Sequence, residues 1–353
     1  MNKNCIILTG GGTAGHVTLN INLEKNLKQH FDKIVYIGSK TGIEKTLVKS
    51  NTEYIYEEIT TTKLIRKKFL KNITLPFKLL KAVKEAKTLI KKHNPKIVFS
   101  KGGYVGLPVV IAAKKLNVPV VCHESDISMG LANKLAKKYA SKICTNFKLT
   151  SEKNGPKCIH TGMPLKHINL SKEEIKNKLN IKTNKPILLV TGGSLGSKAL
   201  NNFVFETLPA LTKKFYVIHL VGKNNFNKNI KAEDYKQIEF TNEMWSILTI
   251  TDYAISRAGA NTIYELFANQ ILTIFVPLPK NVSRGDQIDN AIYFENQNMA
   301  KCIEQNKLTL EKVQNALENL KINSKNIKNR IKNANFTDGT EKIIEIILQE
   351  KNT

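Results

Sequence analysis

Short apolar runs alternate with stretches of helical periodicity along the whole chain. CIIL (5–8), KIVYI (33–37), KIVF (96–99) and VPVV (118–121) lack regular polar alternation and read as strands buried on both faces. Between them, Val17 to His30, Pro76 to Lys92 and Leu107 to Leu116 repeat apolar residues at helix spacing. This alternation predicts parallel strands joined by helical crossovers, a doubly wound α/β sheet. The second half repeats the plan with PILLV (186–190), FYVIHL (215–220), DYAI (252–255) and ILTIFV (271–276). Both halves open on a buried strand, a glycine-rich turn and a helix: CIILTGGGTAGH and PILLVTGGSLGS. The duplication predicts two Rossmann-like domains facing each other across a cleft, residues 1–163 and 164–337. Their join is expected within TGMPLKHINLSKEE (161–174), where Gly and Pro interrupt the periodicity. From Lys307 the pattern is helical, and the last helix, 338–353, is a candidate to pack back onto the first domain.

A length of 353 residues suits two domains of ordinary size. Charge adds more: 55 Lys and Arg against 29 Asp and Glu leave +26, which favours an anionic partner. A lysine-rich proteome would produce the same total, so the distribution of charge matters. Residues 63–92 hold eleven basic residues and one acid, Glu85, with Leu70, Ile73, Leu75, Phe77, Leu79 and Leu80 interleaved. Such a segment suits an anionic membrane surface, with Val83 and Leu89 facing inward. No zinc-finger spacing, RNP-like aromatics or helix-turn-helix accompany the charge, so a nucleic-acid partner is not expected. Cys5, Cys122, Cys144, Cys158 and Cys302 are scattered and never paired as C-x-x-C, against a disulfide framework or a zinc site. No apolar run nears the ~20 residues of a membrane span, and the N-terminal run is too short for a signal peptide. The expected location is the cytoplasmic face of the cell membrane, held peripherally.

Gly10, Gly12 and Gly15 satisfy G-x-G-x-x-G after a strand and before a helix, a geometry that brings backbone N–H groups to a phosphate. A dinucleotide site also needs an acid closing the second strand. That strand ends Tyr36-Ile37-Gly38-Ser39-Lys40, so a dehydrogenase fits poorly. The second loop, Gly192 to Ser197, is no Walker motif because no G-K-[ST] follows, yet it offers N–H groups and a hydroxyl to a diphosphate.

GGGTAGHV (10–17), SKGGYVGLP (100–108), HESD (123–126), TGGSLG (191–196), SRAGANTIYE (256–265) and SRGDQIDNA (283–291) stand in the order and spacing of the MurG family. The chain resembles that family over nearly its whole length, in its Firmicutes-type form. The resemblance implies a GT-B fold, with acceptor on the first domain and UDP-sugar mainly on the second. It implies inverting transfer of N-acetylglucosamine from UDP-N-acetylglucosamine to lipid I, giving lipid II for peptidoglycan synthesis. A different UDP-sugar enzyme, such as a diacylglycerol glycosyltransferase or an epimerase, is the alternative.

By the same resemblance Thr13, Ala14, Gly15 and His16 form the first loop, and Asp126 stands where many members carry Asn. An ionised Asp only accepts hydrogen bonds, whereas Asn also donates. Lys166 stands where Arg is common, keeping the charge without the bidentate fork. Ser194 belongs to the second loop, and Thr241 to a segment whose backbone reads the uracil edge. Ala260, Asn261, Thr262, Ile263, Tyr264 and Glu265 form a loop and helix start under the nucleotide, and Gln287 contacts sugar hydroxyls. Glu265 would take the ribose hydroxyls; complementing the helix dipole is its other reading, as capping is for Asp286 and Gln287.

The reaction needs a base beside the acceptor hydroxyl and positive potential beside the leaving diphosphate. His16 is the first candidate base, with phosphate bonding or helix capping as its other reading. Glu124 is the second, with a buried structural role as its own. No D-x-D and no metal-ligand spacing occur, so no metal or cofactor is expected. Helix N-termini and Lys166 are expected to stabilise the leaving group.

Overall fold

The computed structural model describes residues 4–61, 74–166, 168–241, 243–283 and 285–352. They divide into two compact units, 1–165 with 338–353, and 166–337.

The first unit opens with β1 (Cys5–Thr9), α1 (Gly15–Asn22), α2 (Glu24–Leu27), β2 (Lys33–Ser39), α3 (Ile43–Asn51) and β3 (Ile55–Ile59). It continues with α4 (Leu75–His93), β4 (Ile97–Ser100), α5 (Gly103–Lys115), β5 (Val120–Glu124), α6 (Leu131–Ala136), β6 (Lys142–Thr145), α7 (Lys148–Asn154) and β7 (Cys158–His160). All strand pairs are parallel, in the order β3-β2-β1-β4-β5-β6-β7. Chain progression therefore reverses between β1 and β4, the switch point at which open α/β sheets bind ligands beyond the strands' carboxyl ends.

The second unit holds α8 (Lys172–Lys178), β8 (Ile187–Thr191), α9 (Lys198–Thr212), β9 (Tyr216–Leu220), β10 (Tyr235–Ile238), α10 (Met244–Ile250) and β11 (Tyr253–Ser256). Then follow α11 (Ala260–Ala268), β12 (Leu272–Phe275), α12 (Asp286–Asn296), β13 (Lys301–Cys302), α13 (Leu310–Ile322) and α14 (Ser324–Asn333). Its sheet order, β10-β9-β8-β11-β12-β13, places the switch between β8 and β11. The last helix, α15 (Thr340–Lys351), packs on β4, β5 and β6 of the first unit, and Lys342 Nζ donates to His160 O at 2.6 Å.

The interior strands are those with unbroken apolar runs. Ile6, Ile7 and Leu8 in β1 and Leu188, Leu189 and Val190 in β8 are fully buried, each contributing roughly 1.5–3 kcal/mol. The edge strands β3 and β10, IYEEI and YKQI, mix polar with apolar residues because only one side of each is paired. The stretch from Val17 to His30, expected as one helix, is two short helices meeting at Leu23. Local chemistry sets other boundaries: Ser171 and Glu174 form a capping box at α8, and Asn94 closes α4 in the left-handed conformation.

Candidate functional site

In the first unit three loops meet beyond the carboxyl ends of β1, β4 and β5. Gly10 must be glycine there: a β-carbon would lie 2.7 Å from His16 O and 2.9 Å from Lys101 Cβ. A β-carbon on Gly103 would likewise meet Gly11 O at 2.5 Å, so the first and second loops interlock through their backbones. Thr13 and Gly15 are exposed, and Ala14 and His16 half-buried, at the start of α1. His16 Nδ1 lies 2.8 Å from Thr13 Oγ1, which orients the ring.

Glu44 lies just beyond β2, where a dinucleotide enzyme would bind ribose. The side chain is fully buried, and its carboxylate accepts from Gly12 N at 3.1 Å, from Ser39 N at 3.2 Å and from Ser39 Oγ. Glu44 therefore braces the first glycine loop and is not presented to a ribose. Sequence reading missed this acid because it lies five residues past the strand.

Glu124, at the end of β5, is held by the loop that follows it. Its Oε1 accepts from Asp126 N at 3.0 Å, and its Oε2 from Gly130 N at 2.9 Å and Asn133 Nδ2 at 3.0 Å. A buried carboxylate receiving three N–H groups organises a loop. These bonds match the buried structural role that is the other reading of Glu124. Asp126 follows it, half-buried, with its carbonyl accepting from Thr150 Oγ1 at 3.2 Å.

Lys101 was not singled out in the sequence, although SKGGY contains it. It is 1 % exposed, and its Nζ donates to Ser125 Oγ. Burial pulls its pKa down to about 8, against the opposing fields of Glu124 and Asp126.

In the second unit the glycine loop after β8 exposes Gly193, Ser194 and Leu195. Gly193 and Gly196 adopt φ of +88° and +74°, closing a turn in which Gly196 N donates to Gly193 O at 2.9 Å. Gly259 precedes α11, whose first N–H groups, on Ala260, Asn261 and Thr262, lack carbonyl acceptors within the helix. The side chains of Ile263 and Tyr264 are buried, and Tyr264 Oη donates to Thr337 O at 2.8 Å.

Glu265 is half-buried on α11, and among the described residues no hydrogen bond reaches its carboxylate. Burial pushes its pKa up to about 7, with the exposed Lys166 pulling the other way. The fold thus brings Lys166 within electrostatic reach of Glu265 from ninety-nine positions away in sequence. An unsatisfied carboxylate beside an anion-favouring helix start suits a ligand carrying both hydroxyls and phosphates.

Thr241 Oγ1 accepts from Glu243 N at 2.9 Å, holding the turn before α10. Gln287 lies in the first turn of α12, and its Oε1 accepts from Leu278 N at 3.0 Å. That oxygen is committed to the loop after β12. Arg257, also missed in the sequence, is a buried clamp. It donates to Val276 O at 2.8 Å, Pro277 O at 3.2 Å, Ser197 Oγ at 2.6 Å and Gln305 Oε1 at 2.6 Å.

Of the basic segment, residues 62–73 lie outside the described residues, including Lys67, Lys68, Leu70, Lys71 and Ile73. The described part starts α4, where Phe77 is 73 % and Leu80 is 63 % exposed while Val83 is buried. Among the described residues no helix is long and apolar enough to cross a membrane, and no group of three or more His, Cys, Asp or Glu is placed to hold a metal.

Residues 6–145 match the glycosyltransferase family 28 N-terminal domain, and residues 187–346 the family's C-terminal domain. The chain is 46 % identical to the UDP-N-acetylglucosamine--N-acetylmuramyl-(pentapeptide) pyrophosphoryl-undecaprenol N-acetylglucosamine transferase of Clostridium tetani (strain Massachusetts / E88), over 98 % of each chain. It is 43 % identical to the enzyme of the same name from Clostridium botulinum (strain Alaska E43 / Type E3), over 99 % of each. Among solved structures it resembles MurG of Acinetobacter baumannii, with a TM-score of 0.76 and 25 % identity over 98 % of this chain and 99 % of that one.

Proposed function

The chain belongs to glycosyltransferase family 28, and on that premise we propose that it transfers N-acetylglucosamine from UDP-N-acetylglucosamine to undecaprenyl-pyrophosphoryl-N-acetylmuramyl-pentapeptide. The observation that carries this reading is the full-length likeness to clostridial transferases of that activity. A phosphate-friendly glycine loop at the switch point of each GT-B sheet supports it, since both substrates carry a diphosphate.

The reaction is one displacement with inversion. The 4-hydroxyl of the N-acetylmuramyl residue attacks the anomeric carbon, its proton passes to His16, and the bond to UDP breaks. The developing charge on UDP meets the N-terminus of α11, the Ser194 loop and Lys166. Glu265 holds the ribose. The test is transfer of labelled N-acetylglucosamine to a soluble lipid I analogue, with diacylglycerol as competing acceptor. Label on the lipid I analogue is the expected outcome; label on diacylglycerol alone moves the chain to another UDP-sugar activity. The missing D-x-D leads us to expect that activity survives EDTA, and restoration by magnesium alone after a complete loss would contradict this.

Membrane attachment through residues 63–92 belongs to the same reading, supported by their charge and by the exposed Phe77 and Leu80. Each surface lysine contributes about 1 kcal/mol near an anionic leaflet, and the attraction decays within a Debye length. Changing Lys67, Lys68, Lys71 and Lys78 to Glu should release the protein from anionic vesicles. It should slow reaction with a long-chain acceptor far more than with a short-chain one. High salt should act like the lysine changes, whereas Phe77→Ser and Leu75→Ser should weaken binding even at low salt. Undiminished sedimentation of the charge-reversed protein with vesicles would assign the membrane face elsewhere.

A further inference from the structure

Each unit braces its glycine loop against the end of its second strand, and the two do so by different means. In the second unit the loop meets the chain just past β9 backbone to backbone: a β-carbon on Gly196 would lie 3.1 Å from Gly222 Cα. In the first unit a carboxylate fills the corresponding place. Glu44, in the first turn of α3, is fully buried. Its Oε2 accepts from Gly12 N at 3.1 Å, and its Oε1 accepts from Ser39 N at 3.2 Å and from Ser39 Oγ. Gly11 passes so close that a β-carbon there would lie 2.6 Å from Glu44 Cδ.

Among the described residues no ion pair reaches Glu44, and a carboxylate taken out of water without a cation is costly. The second unit shows that a glycine loop can be braced without one, so bracing alone does not account for the acid. Apposed glycine backbones limit only how closely two segments approach. A carboxylate with one oxygen on each partner fixes their direction as well, because hydrogen bonds weaken steeply off line. From Gly12 the path to the candidate base is short and stiff. Gly12 adopts φ of +88°, and a β-carbon on it would meet Tyr104 Cε1 at 2.5 Å. His16 N donates to Thr13 O at 3.1 Å, and His16 O packs against Gly10. A shift at Gly12 therefore reaches the imidazole, since the turn between them is closed at both ends.

We propose that Glu44 is a positioning residue of the transfer reaction: with one oxygen on Gly12 and the other on Ser39, it holds the glycine turn in the orientation that presents His16 to the acceptor hydroxyl. It touches no substrate, and the inference rests on the reading that His16 is the base. An amide cannot take its place. Glutamine has one acceptor oxygen and an NH2 group that only donates. In either orientation of that amide one backbone N–H, of Gly12 or of Ser39, faces another donor.

The test is Glu44→Gln, alone and combined with His16→Ala, followed by kinetics on a soluble lipid I analogue and calorimetry with UDP. Glu44→Gln should lower kcat about ten- to a hundredfold while acceptor KM changes by less than about threefold. Unchanged UDP affinity and stoichiometry should show that the loss is not a loss of folded protein. In the His16→Ala background the same change should cost at most about twofold, because a base already absent cannot be misplaced. A fully active Glu44→Gln would overturn the proposal, and so would a loss that repeats in full without His16, the result a merely structural acid would give. Should Glu44→Gln fail to fold, Ser39→Ala decides, since it removes one donor and leaves both backbone bonds to Glu44. A kcat loss that vanishes in the His16→Ala background supports the role, and unchanged kcat removes it. Normal turnover in His16→Ala alone would overturn the base assignment and this proposal together. Wild-type protein that does not glycosylate the analogue would sink the functional reading itself, a different result from an active enzyme indifferent to Glu44.

Discussion

Replacing His16 by alanine should lower kcat by about 10²–10⁴, the usual contribution of a general base, with UDP affinity nearly unchanged. The split follows from where the residue lies. His16 belongs to the first unit, at the start of α1, whereas Glu265 and Ala260, proposed to hold the nucleotide, belong to the second. The Thr13 hydroxyl, 2.8 Å from Nδ1, orients the ring, and a base must present the lone pair of Nε2 to the acceptor hydroxyl. Thr13→Val should consequently cost less, roughly tenfold or below, because it loosens the ring without removing it. Imidazole added to His16→Ala should recover part of the rate. A His16→Ala enzyme with wild-type turnover would reduce the residue to a structural part of the glycine loop. Glu124, tied to three N–H groups, would then be the candidate left to test.

Glu265→Gln should make the protein more stable at pH 8 and worse at binding UDP. The carboxyl has a folded-state pKa of about 7 against an ordinary 4.5, the shift arising first from burial. A carboxyl whose pKa is raised on folding binds more protons folded than unfolded between those values. Its stability contribution is therefore complete below pH 4.5 and lost as pH rises through 7. A glutamine is neutral throughout and escapes that loss, so the variant should gain of the order of 1–3 kcal/mol above pH 7 and little below pH 4.5. UDP binding should weaken by about 1–3 kcal/mol, through loss of charge-assisted hydrogen bonds to ribose. Thermal unfolding from pH 4 to 9, with and without UDP, reads both effects. Lys166→Met should lift the Glu265 pKa further, because it removes the cation that now lowers it. Unchanged UDP affinity in Glu265→Gln would take the residue out of the site, and an equal stability gain at all pH values would contradict the burial argument.

The composition of the interior strands was legible without coordinates. A strand buried on both faces must be apolar at every position, so CIIL, PILLV and ILTIFV announce themselves, and the glycine loops follow each unit's first strand for backbone reasons alone. The edge strands IYEEI and YKQI were not legible, because a half-paired strand tolerates charge and leaves no run to see. The break at Leu23 was equally hidden, since both short helices share one apolar periodicity.

Residue types at the candidate site came from motifs, as with His16, Ser194 and Glu265. Their roles depended on distances between parts of the chain far apart in sequence. Glu124 is an acid at a strand end in either view, but only the fold brings Gly130 N and Asn133 Nδ2 onto its oxygens. Lys166 and Glu265 are ninety-nine residues apart, and no local pattern could pair them. Lys101 and Arg257 are each one basic residue after a strand, and the sequence does not distinguish them. The fold gives Arg257 two backbone carbonyls, an amide oxygen and a hydroxyl, and among the described residues it gives Lys101 Nζ a single hydroxyl. Periodicity and backbone conformation are local and survive in sequence, whereas desolvation and Coulomb energy depend on what is packed alongside, which only the tertiary structure decides.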